Sequence, residues 1–224
     1  LVLRRAEEQA SRNNNNMIIV LAAAGTSVFL LFIILLVRDD LAARTKLHEA
    51  LEILAMQDAL TGLPNRVAFQ EGLNRALARA TRNQRKLAVL VFDLDGFKAI
   101  NDKFGHHAGD EMLKTIARRL KKSLRASDFI ARIGGDEFIL LLDEVAGHPE
   151  AGAAAAKIIE VVSQPVDLGI GKEGYVSASV GICMFPEDEV RSDRLIQLAD
   201  EAMYRAKQAG KSKFRYHARS RGED

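Results

Sequence analysis

Residues 131–142 constrain the chain most strongly. Apolar runs on both sides of Gly134-Gly135 predict a two-residue β-hairpin, strands 129–133 and 138–142, because glycine supplies the positive φ that a tight turn needs. Asp136 and Glu137 follow at the mouth of the second strand. Adjacent carboxylates at a tight turn repel each other unless a proton or cation lies between them, so the hairpin tip reads as a metal site.

Around this hairpin the chain alternates helical and extended patterns. A helix is expected over 67–83, a buried strand over 87–92 ending at Asp93, and a helix over 108–124. Further helices are expected over 152–162 and 194–208, with strands over 175–184 and 214–217. The order β-α-β-β-α-β predicts an α/β (α+β) domain with an antiparallel sheet and helices on one face. Hydrophobic content of 48% and charged content of 28% suit a globular core. A net charge of +2 and the lack of a basic aromatic face argue against nucleic acid as a partner. The lone Cys183 lies in an apolar run, is read as filler, and rules out an intrachain disulfide.

The first 57 residues differ in character. Residues 1–16 carry Arg4, Arg5 and Arg12 and end in four asparagines. Residues 17–37 hold no charge, and a helix of that length reaches about 32 Å, enough for a bilayer core of about 30 Å. They are read as one transmembrane helix. Arginines and lysine on both sides leave its orientation undecided by charge. In 38–57, Leu47, Leu51 and Leu54 repeat at coiled-coil spacing, which predicts a signalling helix that dimerises, with an amphipathic linker as the plain alternative. Because the chain begins with leucine it is expected to be part of a longer protein, with 1–16 the extracytoplasmic remnant of a missing sensor.

Several motifs then occur in one order. Asp58-Ala59-Leu60-Thr61-Gly62-Leu63-Pro64-Asn65-Arg66 breaks the linker helix. Asp93-Leu94-Asp95-Gly96-Phe97-Lys98 leads to Asn101-Asp102 and to Gly105-His106-His107-Ala108-Gly109-Asp110. Gly134-Gly135-Asp136-Glu137-Phe138 follows, then Ser177-Ala178-Ser179-Val180-Gly181-Ile182, and finally 199–211 with Lys207 and Lys211. Together these resemble the GGDEF-domain diguanylate cyclase family, with the domain spanning 58–217 and a tail at 218–224. One departure is Ser212, where the family usually has asparagine after a glycine-cation pair.

The resemblance implies a ferredoxin-like, polymerase-palm-like fold and condensation of two GTP into cyclic di-GMP. It implies that Asp93, Asp136 and the Leu94 carbonyl hold Mg²⁺, with Mn²⁺ as an alternative ion. Asp136 would deprotonate the 3′-hydroxyl, and Glu137 would be a second acid on the metal side. Asp110 would accept the paired N–H donors of guanine, which adenine lacks, with Asn101 beside it and His106 near. The plain alternatives are a turn residue for Asn101, a helix-start acid for Asp110 and a cap neighbour for His106. Phe97 and Lys98 open a helix whose N–H groups suit phosphates, and Gly134 and Gly135 make room for the nucleotide. Lys207 and Lys211, four apart, are placed on one helix face toward the triphosphate, a solvated basic face being the alternative.

Arg125 and Asp128 match the family's RxxD inhibitory site for the product, with five residues between Asp128 and Gly134; a local helix-end ion pair is the alternative. Since each chain has one guanine pocket and the product two halves, a homodimer is implied. Because GTP is cytosolic, the catalytic domain is expected on the cytoplasmic side of a bacterial inner membrane. The competing expectation is a silent GGDEF module that binds nucleotide and relays a signal; the intact Asp93, Asp110 and Asp136 argue against it.

Overall fold

The computed structural model describes residues 56–217, together with Met17 and Arg38. The transmembrane, signalling-helix and C-terminal-tail expectations therefore lie outside the described residues, apart from those two positions and residues 56–57. Among the described residues no helix is long and apolar enough to cross a membrane.

A five-stranded sheet organises the domain, in the order β2 (Phe129–Gly134), β3 (Glu137–Leu142), β1 (Leu87–Asp95), β6 (Ser177–Phe185) and β7 (Phe214–Tyr216). Helix α1 spans Arg66–Asn83 and starts where the Asn65 side chain accepts the N–H groups of Val67 and Ala68. It ends at Gln84, which takes the left-handed conformation at φ 52°. Strand β1, Leu87–Asp95, is the centre of the sheet and pairs antiparallel with β3 (Glu137–Leu142) and β6 (Ser177–Phe185). Strand β2, Phe129–Gly134, forms the hairpin with β3, and β7, Phe214–Tyr216, adds a parallel edge to β6. Between β1 and β2 lie α2 (Phe97–Phe104) and α3 (His106–Ser123), separated by Gly105. After β3 comes α4 (His148–Val162), and α5 (Ser192–Gln208) follows β6. A two-stranded hairpin of β4 (Val166–Asp167) and β5 (Glu173–Gly174), not foreseen in the sequence, joins α4 to β6.

Helices cover both faces of the sheet, not one as expected. Leu90, Phe92, Phe138 and Leu140 point toward a core with Met112, Ile116 and Leu120 of α3 and Ala151, Ala155 and Ile158 of α4. Val89, Val91, Ile139 and Cys183 point the other way, against Phe69 and Leu73 of α1 and Leu195, Ala199 and Met203 of α5. The reason is visible in β1 itself: residues 87–92 are uninterrupted apolar side chains, and such a run needs cover on each face. Phe92 and Phe138 stack across β1 and β3 with centroids 5.5 Å apart, an aromatic pairing that adds about 1 kcal/mol to burial.

One glycine determines how close α5 can come. A Cβ on Gly181 of β6 would lie 2.0 Å from the Ala199 carbonyl oxygen and 2.2 Å from the Met203 nitrogen. The helix backbone therefore rests directly on the strand, and this contact carries the last turn of α5 to the end of β1.

Candidate active site

Four chain segments meet beyond the end of β1. The strand continues past the expected 92 boundary through Asp95, so Asp93 is a paired strand residue: it stands opposite Glu137 of β3 and Ser179 of β6. The hairpin tip also differs from the expected turn. Gly134 pairs with Glu137, a register shift falls between Arg132 and Gly134, and Gly135-Asp136 form the turn. Gly134 at φ 151° and Gly135 at φ 48° still use the freedom that only glycine has cheaply. The bulge shifts the turn by one residue and brings Asp136 back over β1, where its carbonyl accepts the Leu94 N–H at 3.3 Å.

The carboxylates feel one another. Burial raises the Asp136 pKa above the ordinary carboxylate value, and the negative charge of Asp93 raises it further, against the opposing pull of Lys207 and Arg132. Glu137 is likewise raised by burial first, then by Asp93, Asp200 and Asp136. Lys207 of α5 answers this charge, with its ammonium 2.8 Å from Asp93 Oδ2. Glu137, Asp200, Tyr204 and Lys207 line a groove of about 530 Å³ beside the pair. Among the described residues no three His, Cys, Asp or Glu side chains are grouped closely enough to hold an ion unaided. The two carboxylates that do act on each other, Asp93 and Asp136, offer hard oxygens, which suit a Mg²⁺ ion that completes its shell with water and phosphate.

Lys211 is not on the Lys207 face of a helix. Helix α5 ends at Gln208, Gly210 turns to φ 103°, and Lys211 and Ser212 follow at φ 60° and 48°. The i, i+4 relation fails because a glycine two residues past the helix redirects the chain.

On the other side of the site stand α2 and α3. Phe97 is buried in the core, while Lys98 is exposed. The α2 N-terminus follows Gly96 at φ 90° and has no side-chain cap. Asn101 and Asp110 are half-buried, and His106 is the exposed first residue of α3. Asn101 Oδ1 is buried without a hydrogen-bond partner, and a Cβ on Gly109 would come within 2.0 Å of it. Gly109 thus makes room for this side chain, and a buried amide oxygen without a donor is the kind of group a ligand satisfies.

Arg125 and Asp128 lie together in the loop before β2, where the Asp128 carboxylate accepts the Arg125 N–H at 2.9 Å. The guanidinium turns instead to Glu150 of α4 at 2.6 Å. Burial raises the Asp128 pKa, and the Arg125 N–H and charge oppose it. Both residues line a cavity of about 160 Å³ with Lys157 and Ile158.

Two features escaped the sequence reading. Arg132 donates through Nε and Nη2 to the Gly135 carbonyl at 2.9 and 2.6 Å, and through Nη1 to both Asp58 oxygens at 2.9 and 3.0 Å. It ties the turn to the opening segment of the domain. Burial works to raise the Asp58 pKa, but hydrogen bonds from Thr61 and Arg132 leave it below the ordinary value. Asp95 is the other: buried at 8% exposure, it binds Ser177, Ser179 and the backbone of Ser212. The two residues of the Arg132–Asp58 pair are 74 positions apart, so no local pattern announces it.

Comparisons with known proteins agree with this arrangement. The family model described as "Diguanylate cyclase, GGDEF domain" matches residues 55–213. The bifunctional diguanylate cyclase/cyclic di-GMP phosphodiesterase MucR of Pseudomonas aeruginosa is 44% identical over 161 residues, covering 72% of this chain and 23% of that protein. The chain thus spans under a quarter of MucR's length. The solved GGDEF domain of TpbB (YfiN) from Pseudomonas aeruginosa superimposes with a TM-score of 0.70 at 42% identity, covering 72% of this chain and 94% of that one. The GGDEF domain of DgcB from Caulobacter crescentus, solved in complex with c-di-GMP, gives a TM-score of 0.67 at 28% identity, covering 73% and 96%.

Proposed function

The chain belongs to the GGDEF domain family of diguanylate cyclases, and from that we propose that it condenses two GTP molecules into cyclic di-GMP and two pyrophosphates. The observation that carries this reading is the convergence of Asp93 and Asp136, joined by the Leu94–Asp136 backbone hydrogen bond and faced by Lys207.

Asp93, Asp136 and the Leu94 carbonyl are the residues that would hold Mg²⁺, or Mn²⁺ in its place, with Glu137 as a further acid. Bound there, the ion supplies charge neutralisation at the α-phosphate and acidifies the attacking 3′-hydroxyl. Asp136 takes the proton from that hydroxyl. Asn101 and Asp110 read the guanine edge, and the open Asn101 Oδ1 supports this. Lys207, Lys211, the α2 N-terminus at Phe97 and Lys98, and the open backbone at Gly134 and Gly135 receive the triphosphate; His106 borders the nucleotide.

Two such chains face each other, each presenting one GTP, and so act as a homodimer. Cyclic di-GMP binds back at Arg125 and Asp128 and restrains activity; binding there requires the guanidinium to leave Glu150. Residues 17–37 anchor the chain in a bacterial inner membrane with the catalytic domain cytoplasmic, 1–16 outside and 38–57 aligning the two domains. The test is the full 224-residue chain, purified in detergent, incubated with GTP and Mg²⁺ and resolved by mass spectrometry. Cyclic di-GMP from the wild type and none from Asp136→Ala supports the proposal. Equal product from both, or none from a verified dimer, rejects it.

A further inference from the structure

Asp95 is the buried carboxylate that the proposed reaction leaves without a role. It lies two residues beyond Asp93, 8% exposed, and its Oδ2 accepts three hydrogen bonds: from Ser177 Oγ at 3.1 Å, Ser179 Oγ at 2.9 Å and the Ser212 N–H at 3.1 Å. Ser179 also reaches Oδ1 at 3.0 Å. The two hydroxyls come from β6, whereas the amide comes from the turn after α5, 117 residues away in sequence.

That turn is conformationally costly. Gly210, Lys211 and Ser212 are three successive residues with positive φ, and two of them carry side chains. A non-glycine residue in this region is disfavoured and persists only where the surroundings hold it. The helix end holds its first part, the Lys207 and Ala206 carbonyls accepting the Gly210 and Lys211 N–H groups at 3.3 and 3.2 Å, and the Asp95 carboxylate accepts the next N–H. Lys211 thereby sits between the helix end that carries Lys207 and the strand end that carries Asp93 and Asp95.

We propose that Asp95 is a positioning residue that, through the Ser212 N–H, holds the left-handed turn and so aims Lys211 at the substrate phosphates. This rests on the diguanylate cyclase reading for the identity of the substrate, though not for the hydrogen-bond geometry. The role is that of an acceptor. Asparagine can put its carbonyl where Oδ2 stands and donate its amide to the Ser179 hydroxyl, so Asp95→Asn keeps the turn. Alanine cannot.

The experiment measures KM and kcat for GTP, and binding of a non-hydrolysable GTP analogue, on the detergent-purified full chain. The variants are Asp95→Ala, Asp95→Asn, Lys211→Ala and the Asp95→Ala/Lys211→Ala double. Losing one charge-assisted phosphate contact is expected to raise KM about tenfold in Asp95→Ala and in Lys211→Ala, with kcat within about twofold. The double variant is expected to be no worse than Lys211→Ala, and Asp95→Asn to recover wild-type KM. Asp95→Ala with wild-type KM, an effect that multiplies with Lys211→Ala, or failure of Asp95→Asn to rescue would each overturn the proposal. A purely structural role would lower the melting temperature without this coupling. If Asp95→Ala does not fold, Ser179→Ala, which removes one anchor of the carboxylate, carries the test: a smaller KM rise supports the proposal and an unchanged KM overturns it. A wild type that binds the analogue but yields no cyclic di-GMP rejects the enzyme reading alone, and the affinities of the variants then decide the role of Asp95.

Discussion

Gly181→Ala tests how the sheet delivers α5 to the site. The added methyl would lie 2.0 Å from the Ala199 oxygen, 2.2 Å from the Met203 nitrogen and 2.9 Å from the Ala202 carbonyl carbon, all backbone atoms that cannot rotate away. Ordinary contact begins near 3.4 Å, so α5 must retreat by about 1.4 Å. Overpacking on this scale costs roughly 1–3 kcal/mol, which in a chain of this size lowers the melting temperature by about 3–10 °C. The same retreat acts on Lys207, whose 2.8 Å contact with Asp93 then opens beyond ion-pair distance. Displacements of about 1 Å at a reacting centre can cost on the order of 100-fold in rate. The measurement is a thermal melt, paired with the rate of cyclic di-GMP formation at saturating GTP and a temperature where the variant is folded. A variant with wild-type melting temperature and rate would refute the claim that the Gly181–α5 contact sets the site.

Three further outcomes are expected. Arg132→Lys cannot reproduce the fork to Gly135 and Asp58 and should lose about 2–4 kcal/mol in a chemical denaturation series; an unchanged midpoint would deny the tie any structural weight. Asp136→Asn should abolish product yet raise the melting temperature at pH 7. Its folded pKa is raised, so its contribution favours folding below the unfolded value and is lost as pH rises through the folded one. The gain from Asn should therefore shrink as pH falls into the carboxylate range, and a gain that grew with acid would contradict the sign. Gly109→Ala displaces a side-chain oxygen rather than backbone and so should fold, while raising KM for GTP about tenfold and weakening discrimination against ATP; nucleotide competition assays report both.

Much of the fold could be read from periodicity and punctuation. The break over 58–66 and the helix expected over 67–83 mark boundaries that the structure keeps to within one residue. The two-sided burial was also present in residues 87–92, a run without polar alternation, and the one-face expectation overlooked it. The hairpin was legible to within one residue: two adjacent glycines mark a turn, but whether one of them enters the ladder depends on a bulge that pairing with β1 decides. Asp93 and Asp136 were visible as strand-end acids, and their convergence follows from β1 lying beside β3. By contrast, Arg132 finds Asp58, and Asp95 finds Ser212, only after the chain has closed on itself. Lys211 was misplaced because helical arithmetic was carried across Gly210, a residue whose φ of 103° ends the helix register.

The central claim is that the ends of β1 and the β2–β3 turn form one cation-using site. Mn²⁺ binding to the full chain in detergent, with a non-hydrolysable GTP analogue present and followed by electron paramagnetic resonance, tests it most directly. Saturable binding in the wild type that is lost in both Asp93→Asn and Asp136→Asn is the predicted result. Wild-type affinity retained in either variant would contradict it.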